Sequence, residues 1–335
     1  MQSDAVREAK FNVGNVTRFY VPLLLQGFSQ SLAYPLVAGI VTHGEFGVDA
    51  LTAFSQGQMV MFMIGAIGGG LVTTGLVFAK TWMGYVAFRR LNALMMSALL
   101  AVQCIVALPP FSDWIFSGLF NLPPELAHIA ARTLLYGALM NGLFFLRNVP
   151  MVVLFNNLDS AKANYATFLR LVVTFALAVC LPRMGLVGPW WGLAALTFGV
   201  GVELVATWLF ALPYVARLPN RPNVEDMKSL PSIPRLTLEQ FRFTLPLSLG
   251  GFLLMLSPVA IAAFVGRTVD PKDMLAIHYV TLGVANPVAF AALHPMDKPE
   301  FDVVRREIAR RKGEDDAEAT PEEIEVCEKV TGFRF

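Results

Sequence analysis

The sequence predicts an all-α integral membrane protein with about eight transmembrane helices. Of its 335 residues, 55% are hydrophobic and 15% are charged, whereas soluble globular chains carry about a quarter charged residues. The charge is concentrated at one end, because the last forty residues hold 20 of the 51 acidic and basic side chains. A segment near the start of the chain also returns towards its end, which indicates two related halves.

The repeated segment begins the first long apolar run. Residues 18–23, RFYVPL, return 224 residues later as RFTLPL at 242–247, and the similarity continues without a gap. From Arg18 to Leu51, 12 of 34 positions are identical in the two copies. Six apolar runs precede the second copy, but only two follow before a charged tail. The repeat therefore predicts one complete six-helix lobe and the first two helices of a second lobe.

Eight stretches are long and apolar enough to form transmembrane helices. A helix needs about 20 mostly apolar residues to cross a hydrocarbon core about 30 Å thick. The alternative for each stretch is a buried helix in a large soluble core, which the scarcity of charges argues against. The predicted spans are 19–42, 52–79, 91–110, 132–157, 163–182, 186–212, 243–266 and 274–294.

Lys and Arg residues are unevenly shared between the two sides of the predicted membrane. With the N-terminus inside, the cytoplasmic segments hold 20 Lys and Arg residues and the external segments hold four. Because positive residues accumulate on the cytoplasmic side, both termini are predicted to be cytoplasmic. The protein is expected to be a multi-pass protein of the cell (inner or plasma) membrane, in contact with membrane lipids.

Five prolines and interspersed charges interrupt the apolar pattern at 213–241 and predict a cytoplasmic linker. The tail that follows the last span is charged and is expected to be soluble. The predicted organisation is an N-terminal cytoplasmic segment 1–17, a first lobe 18–212, the linker 213–241, a partial second lobe 242–295 and a cytoplasmic tail 296–335.

Three strongly ionisable residues, Arg147, Arg170 and Glu203, lie well inside the predicted spans. At about 1.5 Å rise per residue, each lies roughly 13–15 Å from the cytoplasmic end of its helix, so they can share one layer. An Arg near the bilayer centre costs about 2.5–3.5 kcal/mol, so such groups face the bundle interior. Two interpretations stay open and are compatible. A buried Arg–Glu pair locks helices together, or surplus positive charge binds an anion while Glu203 holds one arginine.

Other polar residues extend this candidate site. Asn148 follows Arg147 in the fourth span, where Pro150 favours a kink that lines a cavity. Gln26 and Gln30 share one face of the first span, which lines either a solute path or a helix contact. The candidate solute-binding residues are Arg147, Arg170, Glu203, Gln26, Gln30 and Asn148.

Several function classes find no support in the sequence. A net charge of +1 argues against nucleic acid as a partner. The sequence has no nucleophile motif, paired catalytic acids or cofactor fingerprint, so neither an enzyme nor a cofactor is predicted. The three cysteines are too far apart for a metal site. Glycines at 65, 68, 69 and 70 lie in an apolar span without a following Lys, which favours close helix packing over a phosphate loop.

Three passages carry a resemblance to a known family. They are RFYVPL at 18–23, GLVF at 75–78, and a third that starts as RLVV at 170–173 and runs into LPRMGLVG at 181–188, with Gly192 and Glu203 beyond. These passages resemble the progressive ankylosis family, which lies within the larger MATE-like superfamily of multidrug, oligosaccharide-lipid and polysaccharide exporters. The resemblance covers roughly residues 15–295 and implies two six-helix MATE-like lobes that enclose a central cavity, which opens alternately to the two sides. It also implies export of pyrophosphate or of other small anions such as ATP and citrate.

The sequence and the resemblance together predict a secondary transporter or exporter of a small anionic or amphipathic solute. Arginine suits such a cargo because its guanidinium group recognises phosphate and carboxylate. Coupling to protons or sodium and assembly into a homo-oligomer stay open. Two alternatives also remain: a flippase for a lipid-linked glycan, and a non-transporting scaffold or truncated transporter remnant.

Overall fold

The computed structural model describes residues 32–157, 159–219 and 233–293. Within these ranges the chain is a bundle of helices without strands, as the sequence predicts. The short helix Phe111–Asp113 continues into a π-helical turn, Trp114–Leu119. The helices are α1 (Leu32–Thr42), α2 (Gly47–Ala66), α3 (Gly70–Phe78), α4 (Trp82–Val106), α5 (Phe111–Asp113), α6 (Pro124–Asn156), α7 (Ser160–Arg183), α8 (Pro189–Ala216), α9 (Ile233–Val265) and α10 (Pro271–Leu293).

Six stretches in the described part of the chain are long and apolar enough to cross a membrane, with α2 and α3 together forming one of them. They correspond to six of the eight predicted spans. The predicted first span, 19–42, lies mostly outside the described residues, and α1 is its described end. The predicted last span, 274–294, corresponds to α10 except for its final residue, which is not described.

Helix α4 begins nine residues before the predicted span 91–110. Thr81 caps its start, because the Thr81 hydroxyl oxygen accepts a hydrogen bond from the Gly84 amide at 3.3 Å. The early turns of α4 carry the exposed residues Arg89 and Arg90. Their charges lie just before the apolar run that starts at residue 91 but do not interrupt the helix. A search for apolar runs therefore misses these turns.

Helix α9 begins within the predicted linker 213–241. Pro234 lies in its first turn, where a missing backbone N–H breaks no intrahelical hydrogen bond. The repeated segment 242–247 therefore lies in the interior of α9 and not at its start. The described part of the second lobe consists of α9 and α10, whereas the predicted tail lies outside the described residues.

The glycines between α2 and α3 allow neighbouring helices to approach closely. A Cβ atom on Gly68 would overlap the Phe145 ring, and one on Gly70 would lie 2.8 Å from Leu247 Cβ. The chain leaves regular helix geometry between Ala66 and Gly70. The structure thus agrees with close packing as the role of these glycines.

Helix α6 lies at the centre of the bundle and packs against α2, α4 and α8. Lipid tails give apolar side chains little reason to associate, so membrane helices rely on small residues and interhelical hydrogen bonds. Both occur here. Gly137 lies against Met61, and Asn141 Nδ2 donates to the Met61 carbonyl at 3.1 Å and to Gln103 Oε1 at 2.7 Å. These contacts fix the position of α6, which carries the first residue of the candidate site.

Candidate functional site

Three neighbouring helices bring the predicted ionisable residues together. Arg147 lies on α6, Arg170 on α7 and Glu203 on α8, and their exposed fractions are 6%, 1% and 0%. Arg147 Nη1 lies 2.7 Å from Glu203 Oε1, and Arg170 Nη1 lies 3.1 Å from Glu203 Oε2. Thr167 Oγ1 donates to Glu203 Oε1 at 2.6 Å. We refer to Arg147, Arg170, Glu203 and Thr167 as the charged cluster.

The local sequence explains how α7 and α8 supply this geometry. Thr167 and Arg170 are three residues apart and therefore share a face of α7. Gly199 lies one turn before Glu203 on α8, and a Cβ atom there would lie 3.2 Å from Arg170 Cγ and overlap Thr174 Oγ1. The absent side chain at Gly199 lets the two helices approach until the carboxylate reaches both α7 partners.

One arrangement predicted from the sequence is a site in which Glu203 holds one arginine and the other is left for the solute. The observed ion pairs differ, because Glu203 contacts both arginines. Glu203 uses one carboxylate oxygen for each arginine, so neither guanidinium is left for solute alone. Two cations against one anion nevertheless give the cluster a formal charge of +1. The Nε atom of Arg147 is buried and has no hydrogen-bond partner among the described residues. A buried donor without a partner costs about 1–3 kcal/mol or more when charged, so an added acceptor would be favoured there.

An aromatic ring lies against both arginines. The Phe144 ring centroid is 4.9 Å from Arg147 Cζ and 5.8 Å from Arg170 Cζ. A desolvated guanidinium over an aromatic face gains about 2 kcal/mol or more from the ring quadrupole. Phe144 therefore keeps the two cations side by side despite their mutual repulsion.

Tyr34 of α1 packs against α2. Its ring meets the Phe62 ring edge-on, with centroids 4.8 Å apart. Sequence reasoning did not assign a role to Tyr34, Phe144 or Thr167. Phe144 and Thr167 could have been found from the sequence, because each lies three residues before an arginine of the charged cluster and hence on the same helix face.

The remaining predicted site residues are not brought into this geometry. Asn148 is half-buried, and no hydrogen bond joins it to the charged cluster within the described residues. Gln26 and Gln30 lie outside the described residues, so their assignment stays a prediction. In contrast, Asn156 holds helices together, because its Nδ2 atom donates to the carbonyls of Gly75 and Ala79 at 3.3 and 3.4 Å.

A second polar group lies where α6 gives way to α7. Asp159 Oδ2 is 2.7 Å from Tyr214 Oη and 2.6 Å from Lys162 Nζ, and Oδ1 caps α7 by accepting from the Lys162 amide. Burial alone would raise the pKa of the Asp159 carboxyl, but hydrogen bonds from Lys162 and Tyr214 outweigh it and hold the pKa below its ordinary value. A nearby cavity of about 220 Å³ is lined by residues that include Lys80, Arg217 and Tyr214.

Comparison with known proteins identifies the fold. A solved structure described as the inward-facing conformation of a multidrug resistance MATE family transporter of the MOP superfamily is similar to this chain, with a TM-score of 0.56 and 17% sequence identity. The similarity covers 87% of this chain and 72% of that chain. The sequence matches no protein-family model and no curated protein.

The chain is therefore an all-helical, multi-pass membrane protein with a MATE-like fold. This confirms the fold class predicted from the repeat and from the resemblance to the superfamily. The similarity does not reach the finer level of the progressive ankylosis family, so membership of that family stays a prediction. The same holds for the predicted orientation of the termini.

Proposed function

We propose that the protein is a secondary transporter that moves a small anionic solute by alternating access, with the charged cluster as its binding site. The observation that carries the proposal is the buried surplus charge on a transporter-like fold. Arg147 supports it most directly, because its Nε donor is buried without a described partner. Coupling to protons or sodium is compatible with this mechanism and is left open.

Binding would proceed by exchange of partners within the cluster. An entering carboxylate or phosphate accepts hydrogen bonds from the Arg147 guanidinium, which presents donors in a planar fork. Glu203 keeps Arg170 and Thr167 as partners, so the carboxylate is not stranded when Arg147 turns to the solute. The solute brings the local charge towards neutrality, which offsets part of the cost of removing both groups from water.

The resemblance to the progressive ankylosis family suggests the probe anions. Pyrophosphate, ATP and citrate carry the phosphate and carboxylate groups that a guanidinium recognises. Their transport should be measured in proteoliposomes against a neutral solute of similar size. Retention of anion selectivity would support the proposal, whereas equal transport of charged and neutral probes would contradict the role of surplus charge.

Substitution of the arginines tests the site itself. Arg147→Ala and Arg170→Ala should each lower anion uptake at least about tenfold, because a charge-assisted bidentate contact contributes about 1.5–3 kcal/mol. Leu146→Ala is a matched control, since Leu146 is the exposed neighbour of Arg147 on α6, and it should leave uptake within about twofold. If both arginine variants are folded and transport at the full rate, the proposed site is wrong.

A further inference from the structure

Helices α2 and α10 meet along a seam that joins the two lobes at one end of the bundle. Three side-chain contacts cross it. Lys272 Nζ lies 2.9 Å from Asp49 Oδ2, Thr52 Oγ1 donates to the Lys272 carbonyl at 3.0 Å, and Tyr279 Oη donates to Gln58 Oε1 at 3.0 Å. These pairs are separated by 220 or more positions in the sequence. They lie at the ends where α2 and α10 begin, which the Lys and Arg distribution predicts to face outside.

Each helix presents a continuous buried stripe to the seam. On α2, Thr52, Ser55 and Gln58 follow one another at three-residue intervals and are at most 1% exposed. On α10, the buried residues Leu275 and Ala276 lie between Lys272 and Tyr279. From Asp49 to Gln58 the seam extends about 13 Å along the helix axis. The contact therefore spans more than two helical turns at this end of the bundle.

The inner end of the seam also contacts α1. Tyr34 of α1 meets the ring of Phe62, one turn beyond Gln58 on α2, with centroids 4.8 Å apart. One turn beyond Tyr279 on α10, a Cβ atom on Gly283 would lie 2.9 Å from Pro35 Cγ. Helix α10 thus packs against both α1 and α2.

One group in the seam is unsatisfied while it is closed. Gln58 Nε2 is buried and has no hydrogen-bond partner among the described residues. Water would supply a partner when the helices separate, which lowers the free-energy cost of opening. At the outer end, Asp49 and Lys272 are more than one third exposed, and exposed ion pairs are weak. The closed seam is consequently stable enough to occlude the path and weak enough to open.

We propose that this seam is the gate of the path on the side where α2 and α10 begin, with Asp49–Lys272 at its rim and Gln58–Tyr279 at its base. The inference deepens the proposed function and rests on it, because a gate requires a path that opens. In the state described here the gate is closed. Opening it requires α10 to move away from α2, which breaks the three contacts together and exposes Ser55 and Gln58 to water.

Thiol labelling reports directly on opening of the seam. Ser55→Cys places a thiol of nearly the same shape in the middle of the α2 stripe, in a chain whose three native cysteines are replaced by alanine. Val48→Cys is the control, because Val48 is exposed just outside the seam. A membrane-impermeant maleimide, added from the side that labels Val48→Cys, should react slowly at Ser55→Cys. Adding Asp49→Asn and Tyr279→Phe should raise that rate about fivefold or more and leave the control rate unchanged.

A charge exchange guards against variants that simply misfold. Asp49→Lys alone should speed labelling of Ser55→Cys, and adding Lys272→Asp should slow it again by restoring an ion pair of opposite direction. Unchanged labelling in every variant would overturn the proposal, as would labelling of the original seam at the rate of the control. Because labelling needs no solute, these results stand even if anion transport, and with it the proposed function, fails.

Reversible cross-linking distinguishes a gate from a contact that only holds the fold. Asp49→Cys and Lys272→Cys can be bridged by a short bis-methanethiosulfonate reagent. Bridging should abolish uptake of a probe anion such as pyrophosphate and stop labelling at position 55 from that side, and reduction should restore both. Full uptake while the bridge is intact would show that the seam does not open during transport and would overturn the proposal.

Discussion

At the scale of single residues, the protein concentrates its buried charge on Glu203. The carboxylate accepts from Arg147, Arg170 and Thr167, which lie on two other helices. Removing the acidic member of a buried ion cluster leaves the cations uncompensated, which costs more than the net contribution of the intact cluster. The cluster is thus both a structural lock and a candidate anion site, and the two interpretations drawn from the sequence remain compatible.

Glu203→Gln should lower the free energy of unfolding of the purified protein by about 3–5 kcal/mol, because two guanidinium groups then face no carboxylate. Unfolding can be followed by size-exclusion chromatography of heated samples. A high concentration of a probe anion should recover part of the loss, since the anion replaces the missing charge. Stability equal to that of the original protein would contradict the lock.

Thr167→Val should cost about 1 kcal/mol, because it removes one hydrogen bond to Glu203 with little change in volume. Thr197→Val is the matched control, since the Thr197 hydroxyl bonds only the Leu193 carbonyl of its own helix among the described residues. The same heated-sample assay compares the two variants. Equal loss in both would show that the contact with Glu203 contributes nothing measurable.

At the scale of helices, small residues and helix termini determine how the elements meet. Gly68, Gly70 and Gly199 occupy positions where a methyl group would meet a neighbouring helix. Asp159 ties the start of α7 to Tyr214 near the end of α8. These contacts set the rotation of each helix and thereby determine which side chains reach the charged cluster.

Gly70→Ala should destabilise the bundle by about 1–3 kcal/mol, because its Cβ would lie 2.8 Å from Leu247 Cβ and 2.9 Å from the Thr244 carbonyl oxygen. Gly250→Ala in α9 is the control, since a Cβ there meets nothing within 4 Å. Alanine favours helix over glycine by about 0.5–1 kcal/mol, so this variant should unfold at the same or a higher temperature. The reverse order of stabilities would contradict the close approach of α3 and α9.

The Asp159 contact should make stability depend on pH in the acidic range. Because the folded pKa of Asp159 lies below its ordinary value, the stabilisation is complete above the unfolded pKa of about 3.9 and is lost as pH falls through the folded value. The difference in thermal stability between the original protein and Asp159→Asn should therefore be largest near neutral pH. It should shrink as pH falls below about 4, and a difference independent of pH would contradict this assignment.

At the scale of the whole molecule, the sequence predicts the architecture better than it predicts the side-chain contacts. Apolar run length identifies the membrane helices because the bilayer imposes a nearly fixed length. It misses the first turns of α4 and α9, where Arg89 or Pro234 interrupts the apolar pattern but not the helix. The depth of Arg147, Arg170 and Glu203 along their spans predicts a shared layer. That all three meet depends on helix rotation, which packing at glycines such as Gly199 determines.

The repeat predicts a second lobe that starts in the same way as the first, and the structure shows what its two described helices do. Helix α9 packs against α2, α3 and α4, and α10 packs against α2. The second copy is therefore not an appendage, because both of its described helices pack against helices of the first copy. This packing is what the predicted pairing of two lobes would produce.

The central claim is that the charged cluster binds an anionic solute, and direct binding tests it most simply. Equilibrium binding of labelled pyrophosphate, ATP and citrate should be measured on the purified full-length protein at constant ionic strength. We expect at least one anion to bind the original protein and Leu146→Ala equally, and to bind folded Arg147→Gln at least about tenfold more weakly. Equal affinity in Arg147→Gln and the original protein would contradict the claim.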